Sequence, residues 1–164
     1  MKLIAYRYSV TGASGYHFYE NQNELCAMSV FSFLTFPVAI SGFGHEWTSE
    51  FDSNDTIVPG MTRFVVDDKS KETVCQIVFI EAGRYDILVS GERVRVFIET
   101  DQCVFFSGEA SIARIKRAYE TPVDVPQKLR SYDCELYCRA DLAEPMKPEL
   151  ALAILSFPLL RFAV

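Results

Sequence analysis

The stretch that most limits what this chain can become is PELALAILSFPLLRFAV, residues 148–164. In its last fifteen positions only Ser156, Pro158 and Arg161 fall outside the apolar set. Pro148 suits the first turn of a helix, where a missing N–H costs nothing. Glu149 then faces the positive end of the helix dipole. Glu, Leu and Ala are good helix formers, and Pro158 is expected to stop or kink the helix near Phe157. A helix over 149–157 rises about 14 Å, against a hydrocarbon core of about 30 Å. Counting on to Val164 still falls short of the ~20 residues of a membrane span, and Pro158 and Arg161 interrupt it. A helix lying on a membrane shows one polar face. Leu150, Ala151, Leu152, Ala153, Ile154 and Leu155 instead cover every side. A helix that is apolar all round belongs inside a core.

The rest of the chain must supply that core, and it reads as strands. KLIAYRYSV, YHFYE and LCAMSVFSFL come first, with TGASG and NQNE as loop and turn. TFPVAISGFGHEW follows, interrupted by Pro37, Gly42 and Gly44, and TSEFDSNDTIVPG is the most loop-like segment. TRFVVDD, TVCQIVFI, YDILV, RVRVFIE, CVFFSG and EASIARIKRAY are separated by short turns. A Pro-rich link at 121–126 leads to KLRSYDCELYCRA. In RVRVFIE, Val94, Val96 and Ile98 share one face and Arg93, Arg95 and Phe97 the other. In SIARIKR, Ser111, Ala113, Ile115 and Arg117 alternate with Ile112, Arg114 and Lys116. Short strands with short turns indicate a mainly β, antiparallel meander, closed as a sandwich or a barrel.

Length fits a single domain over 1–164. Thirteen Phe and eight Tyr favour β-structure over a helical bundle. A net charge of −6 opposes non-specific binding to nucleic acid or to an anionic membrane surface, though not a small local basic patch, so no nucleic-acid partner is expected. The five cysteines are scattered, with no Cys-x-x-Cys, and His17 and His45 lie far apart in sequence. They are expected to be buried, reduced thiols of a cytoplasmic protein rather than a zinc site. MKLIAYRYSV is too polar for a secretory leader.

Catalytic signatures are not found. Gly12-Ala13-Ser14-Gly15 departs from the Gly-x-Ser-x-Gly elbow and reads as a loop. Phosphate-loop and dinucleotide glycine patterns are absent from the sequence. DSND at 52–55 lacks the ligand spacing of a calcium loop and reads as a solvated turn. No metal or cofactor is expected. The least ordinary polar group is basic: Arg93, Arg95, Arg114, Lys116 and Arg117. If their strands pair, these cations share one surface suited to phosphate groups. The plainer reading is a solvated strand face that guards an edge against aggregation.

Three segments resemble the tubby C-terminal-like superfamily, which includes LURP-one-related proteins and phospholipid scramblases. They are RFVVDDKSKETVCQIVFIEAGRYDILV, RVRVFIETDQCVFFSGEASIARIKR and the apolar LALAILSF, together spanning residues 61–160. The resemblance implies an antiparallel β-barrel closed around a hydrophobic C-terminal α-helix. It implies binding rather than catalysis, since tubby domains bind phosphoinositides through Lys and Arg on the barrel. What carries over is the basic strand IARIKR. The expected function is therefore a non-enzymatic binding or scaffold domain, with an anionic phospholipid or a protein as partner. Two alternatives stand beside it. One is a structural or oligomeric protein whose tail docks on another chain. The other is an enzyme with a site assembled from distant residues, which a pocket setting His17 or His45 beside a cysteine or carboxylate would favour.

Overall fold

A computed structural model describes residues 1–31, 38–49 and 56–161. The first strands are β1 (Lys2–Val10), β2 (Ala13–Glu20), β3 (Asn23–Phe31), β4 (Val38–Gly42), β5 (His45–Ser49) and β6 (Thr62–Asp67). Next come β7 (Thr73–Glu81), β8 (Arg84–Val89), β9 (Glu92–Ile98), β10 (Gln102–Ser107), β11 (Ala110–Arg117) and β12 (Cys134–Leu142). The helix α1 (Pro148–Leu160) follows. Each strand pairs antiparallel with its neighbours in sequence, and β1 pairs with β12 to close the barrel. That closing register runs from Lys2 opposite Asp141 to Tyr8 opposite Cys134. Of the two architectures left open by the sequence, the barrel is the one formed.

Alternation explains the wall. Val94 and Val96 of β9 are fully buried, whereas Arg93 between them and β8 is exposed. Ala113 and Ile115 of β11 point inward, and Arg114 and Lys116 point out. The inward residues meet α1, which runs through the interior. Leu152, Ala153, Ile154 and Phe157 are 0% exposed, so the helix is buried around its whole circumference. Phe157 stands edge-on to Tyr85 at 5.3 Å and to Phe105 at 5.6 Å. Burying Leu150, Leu152, Ile154, Leu155, Phe157 and Leu160 contributes about 1.5–3 kcal/mol each, as an upper bound.

The helix is held at both ends. At its start, Glu149 pairs with His45 at 3.2 Å and Lys147 with Glu92 at 2.9 Å. The amino group of Met1 donates to Leu142 O at 2.8 Å, tying β1 to the end of β12 beside it. At its far end, Arg63 Nη1 donates to Leu160 O at 2.7 Å. Pro158 does not stop the helix at Phe157. It lies inside the last turn, and Arg161 N–H still reaches Phe157 O at 2.9 Å. Proline removes one donor, that toward Ile154 O, and a terminal turn tolerates the loss.

TGASG also differs from its loop reading. Only Thr11 and Gly12 form the turn, and Ala13, Ser14 and Gly15 belong to β2. A Cβ on Gly15 would collide with the Tyr8 ring, which lies across that glycine. The solvated-turn reading of DSND, the loop reading over 50–55 and the extended reading over 32–37, with its interruption at Pro37, lie outside the described residues.

The link between β11 and β12 folds back against the outer wall. Leu129, in a 3-10 turn over Gln127–Leu129, packs with Tyr6, Tyr19 and Leu136. This is a second, smaller core outside the barrel. It places Lys128 and Tyr132 against β1 and β2, with Tyr132 stacked on Tyr8 at 4.6 Å.

Candidate functional site

The five basic residues do not converge on one patch. β9 and β11 are not neighbours, because β10 lies between them. Arg93 pairs with Asp86 of β8 at 3.4 Å. Arg95 donates to Gly108 O and lies over the Phe106 ring, with 6.0 Å to the centroid. Lys116 approaches Asp101 at 3.8 Å. Arg117 falls on the same side of β11 as Ala113 and Ile115, at the end of the barrel where α1 terminates. Its charge acts there on Tyr16, Tyr137 and Cys138. Arg114 projects from the outer wall with no ion pair among the described residues, between Val104 and Asp141 in register. Because the barrel is closed, β11 has two partners and presents no edge to guard.

A more enclosed arrangement lies on the opposite wall. Two cross-strand rows can be read from the register. One runs His17, Ala27, Ser41, Glu46, and the other Tyr8, Gly15, Ser29, Ala39, Thr48. The middle of each row is small, so the outer surface sinks between larger side chains on both sides. The result is a groove of about 400 Å³ with Tyr8 and His17 on one bank and Glu46 and Asp68 on the other. That volume lies at the lower end of small-molecule sites. Thr48 Oγ1 donates to Asp68 Oδ1 at 2.5 Å, and Asp68 N–H donates to Glu46 O at 2.9 Å. These bonds fix the acidic bank.

The other bank is fixed by Glu24. His17 Nδ1 bonds to Glu24 Oε1, and Lys128 donates to Glu24 Oε2 at 2.9 Å. Burial favours a protonated Glu24, but the hydrogen bonds from His17 and Lys128 outweigh it and hold the carboxyl below its ordinary value. Burial, together with the Glu24 charge, pushes the nearby Tyr19 phenol up to about 12. His17 is only 9% exposed and sits 5.2 Å from the Tyr8 ring.

His45 occupies an adjoining hollow of about 460 Å³ that shares Ser41 and Glu46 with the groove and adds Asp67 and Lys69, beside the start of α1. Each histidine therefore stands beside a carboxylate, the condition on which an enzymatic reading would rest. The cysteines are free thiols, and all but Cys134 are buried. Burial pushes Cys75 and Cys138 up to about 12, far from a reactive thiolate.

Sequence reasoning missed the groove. Its signal was present as small residues two apart in two successive strands: Ala27 and Ser29, then Ala39 and Ser41. Only the register shows that these lie side by side. Comparison of the chain with protein-family models, with curated proteins and with solved structures finds no match in any of the three.

Proposed function

We propose that this protein is a non-catalytic cytoplasmic binding or scaffold domain that meets its partners on the outer wall of the barrel. The observation that carries this reading is the occupied interior. With Leu152, Ala153, Ile154 and Phe157 fully buried, α1 fills the space where a barrel of this kind would hold a ligand. Partners must then be met outside.

The tubby-like resemblance of IARIKR makes a phosphate-bearing group, such as an anionic phospholipid headgroup, the sharper form of this proposal. Arg114 supports it, as an exposed guanidinium with no carboxylate paired to it among the described residues. Lys116 projects from the same side of β11, with Asp101 only at 3.8 Å. Arg93 and Arg95 are engaged by neighbours on β8 and in the β10–β11 turn, so they support the surface rather than lead it.

Sedimentation with vesicles containing phosphatidylinositol 4,5-bisphosphate tests this. Binding is expected, and Arg114→Glu with Lys116→Glu should abolish it. Binding that survives both substitutions excludes this face. No binding at all removes the lipid form of the proposal and leaves a protein partner as the occupant of the outer wall.

A further inference from the structure

We propose that the groove across β1–β5 is a binding site for an organic cation, a primary amine or guanidinium that donates several hydrogen bonds. The site is separate from the basic face of β11, and its chemistry is opposite. Glu46 and Asp68 both line it, and neither has an ion pair among the described residues. Lys and Arg are absent from its described lining. Two carboxylates without an ion pair in one concave surface create a local negative field that a cation would relieve.

The far bank supplies the complementary half. His17 is nine-tenths buried and its Nδ1 is committed to Glu24. With Nδ1 held by Glu24, Nε2 is the ring nitrogen left over, and it has no partner among the described residues. The groove therefore sets two carboxylates on one bank against an imidazole nitrogen on the other. Ser29 and Ser41 on its floor add hydroxyls that accept as well as donate.

Size narrows the class of cation. Among the described residues, no three His, Cys, Asp or Glu side chains come together as a metal's ligands do. The acceptors are spread along a groove of about 400 Å³, a scale that suits an amine-bearing molecule. The floor of Ala27, Ser29, Ala39 and Ser41 lets an alkyl chain lie flat between the banks. The cation could be a free polyamine or the Lys or Arg side chain of a peptide. The chemistry of recognition is the same for both.

Isothermal titration calorimetry with spermidine, and separately with a short Arg-containing peptide, tests the proposal. One-to-one saturable binding of either probe is expected. Saturation by spermidine identifies a free amine as the ligand, and saturation by the peptide alone identifies a protein side chain. Glu46→Gln should weaken binding at least tenfold. Glu109→Gln removes the same charge at an exposed turn and should leave binding unchanged, which separates the groove from the general attraction of an acidic protein. Ala39→Leu, on the floor and without any change of charge, should also block binding. Failure of both probes to bind overturns the proposal. So does equal weakening by Glu46→Gln and Glu109→Gln, or full binding by Ala39→Leu.

Discussion

Arg63 Nη1 donates to the carbonyl of Leu160 at 2.7 Å in a site where Arg63 is only 5% exposed. The last carbonyls of a helix lack partners within the helix, and here a wall residue supplies one. Burial lowers the guanidinium to about 10 from its ordinary 12.5, so it remains charged at neutral pH. Removing it strands a buried carbonyl. Arg63→Ala is expected to cost about 2 kcal/mol, read from urea denaturation. A loss below about 0.5 kcal/mol, the range of an ordinary surface substitution, would show that the link is incidental.

Phe157 meets Tyr85 and Phe105 edge-on in the middle of the barrel. Phe157→Ala should cost about 3–5 kcal/mol through lost burial and an unfilled cavity. A chain stopped at Pro148 should fail to fold, because every inward face of the wall loses its cover. A stopped chain that remains monomeric with an unchanged Tm would contradict this account of the core.

Two glycines should differ in cost. A Cβ on Gly42 meets Cys26 Cβ and, at 2.7 Å, the carbonyl oxygen of Leu25. Backbone cannot step aside, so Gly42→Ala should cost about 1–3 kcal/mol or more, as overpacking does. The three atoms nearest a Cβ on Gly15 all belong to the Tyr8 ring, a side chain that can shift at the cost of its contacts with Tyr132 and His17. Gly15→Ala should be milder in thermal denaturation, yet should displace Tyr8 and reshape the groove. Equal costs for the two would count against this reading.

Acid should weaken the fold partly through Glu24. Its carboxyl lies below the ordinary 4.5 in the folded protein. The unfolded chain therefore takes up the proton first as pH falls. The contribution is full above the ordinary value and is lost as pH drops through the lower, folded one. Glu24→Gln should lower Tm at pH 7 and flatten the fall in Tm between neutral pH and pH about 3.5. A variant with the same acid slope as the parent would remove Glu24 from that balance.

Thiol titration gives an independent check on the interior. Cys26, Cys75, Cys103 and Cys138 are buried, and only Cys134 is half-buried. A disulfide reagent should modify one thiol slowly in the folded protein and all five in denaturant. Rapid reaction of more than one would show that the wall opens.

Much of the wall was legible because it alternates. Val94, Val96, Ala113 and Ile115 declare their inward side in the bare sequence, and Arg114 and Lys116 the outward one. The helix was legible because nothing in 150–155 is polar. What escaped depends on neighbours distant in the chain. Arg95 and Arg114 look close in sequence but are parted by β10 and by a bulge at Phe105 and Phe106. Gly15 looks like a loop residue until Tyr8 is seen lying on it. His17 and Asp68 sit on facing banks of a groove although about fifty residues separate them, because four intervening strands return the chain to the same wall.

The pairing of β1 with β12 has a consequence in time. Ala5 finds its partner Cys138 only after every intervening strand has been laid down. The helix that covers their inner faces lies later still in the chain. Contacts of such long sequence separation make folding slow, and until they form the meander carries two open edges and an uncovered apolar lining. The newly made chain is therefore at its most aggregation-prone just before α1 arrives. The helix acts as a latch that ends that vulnerable interval.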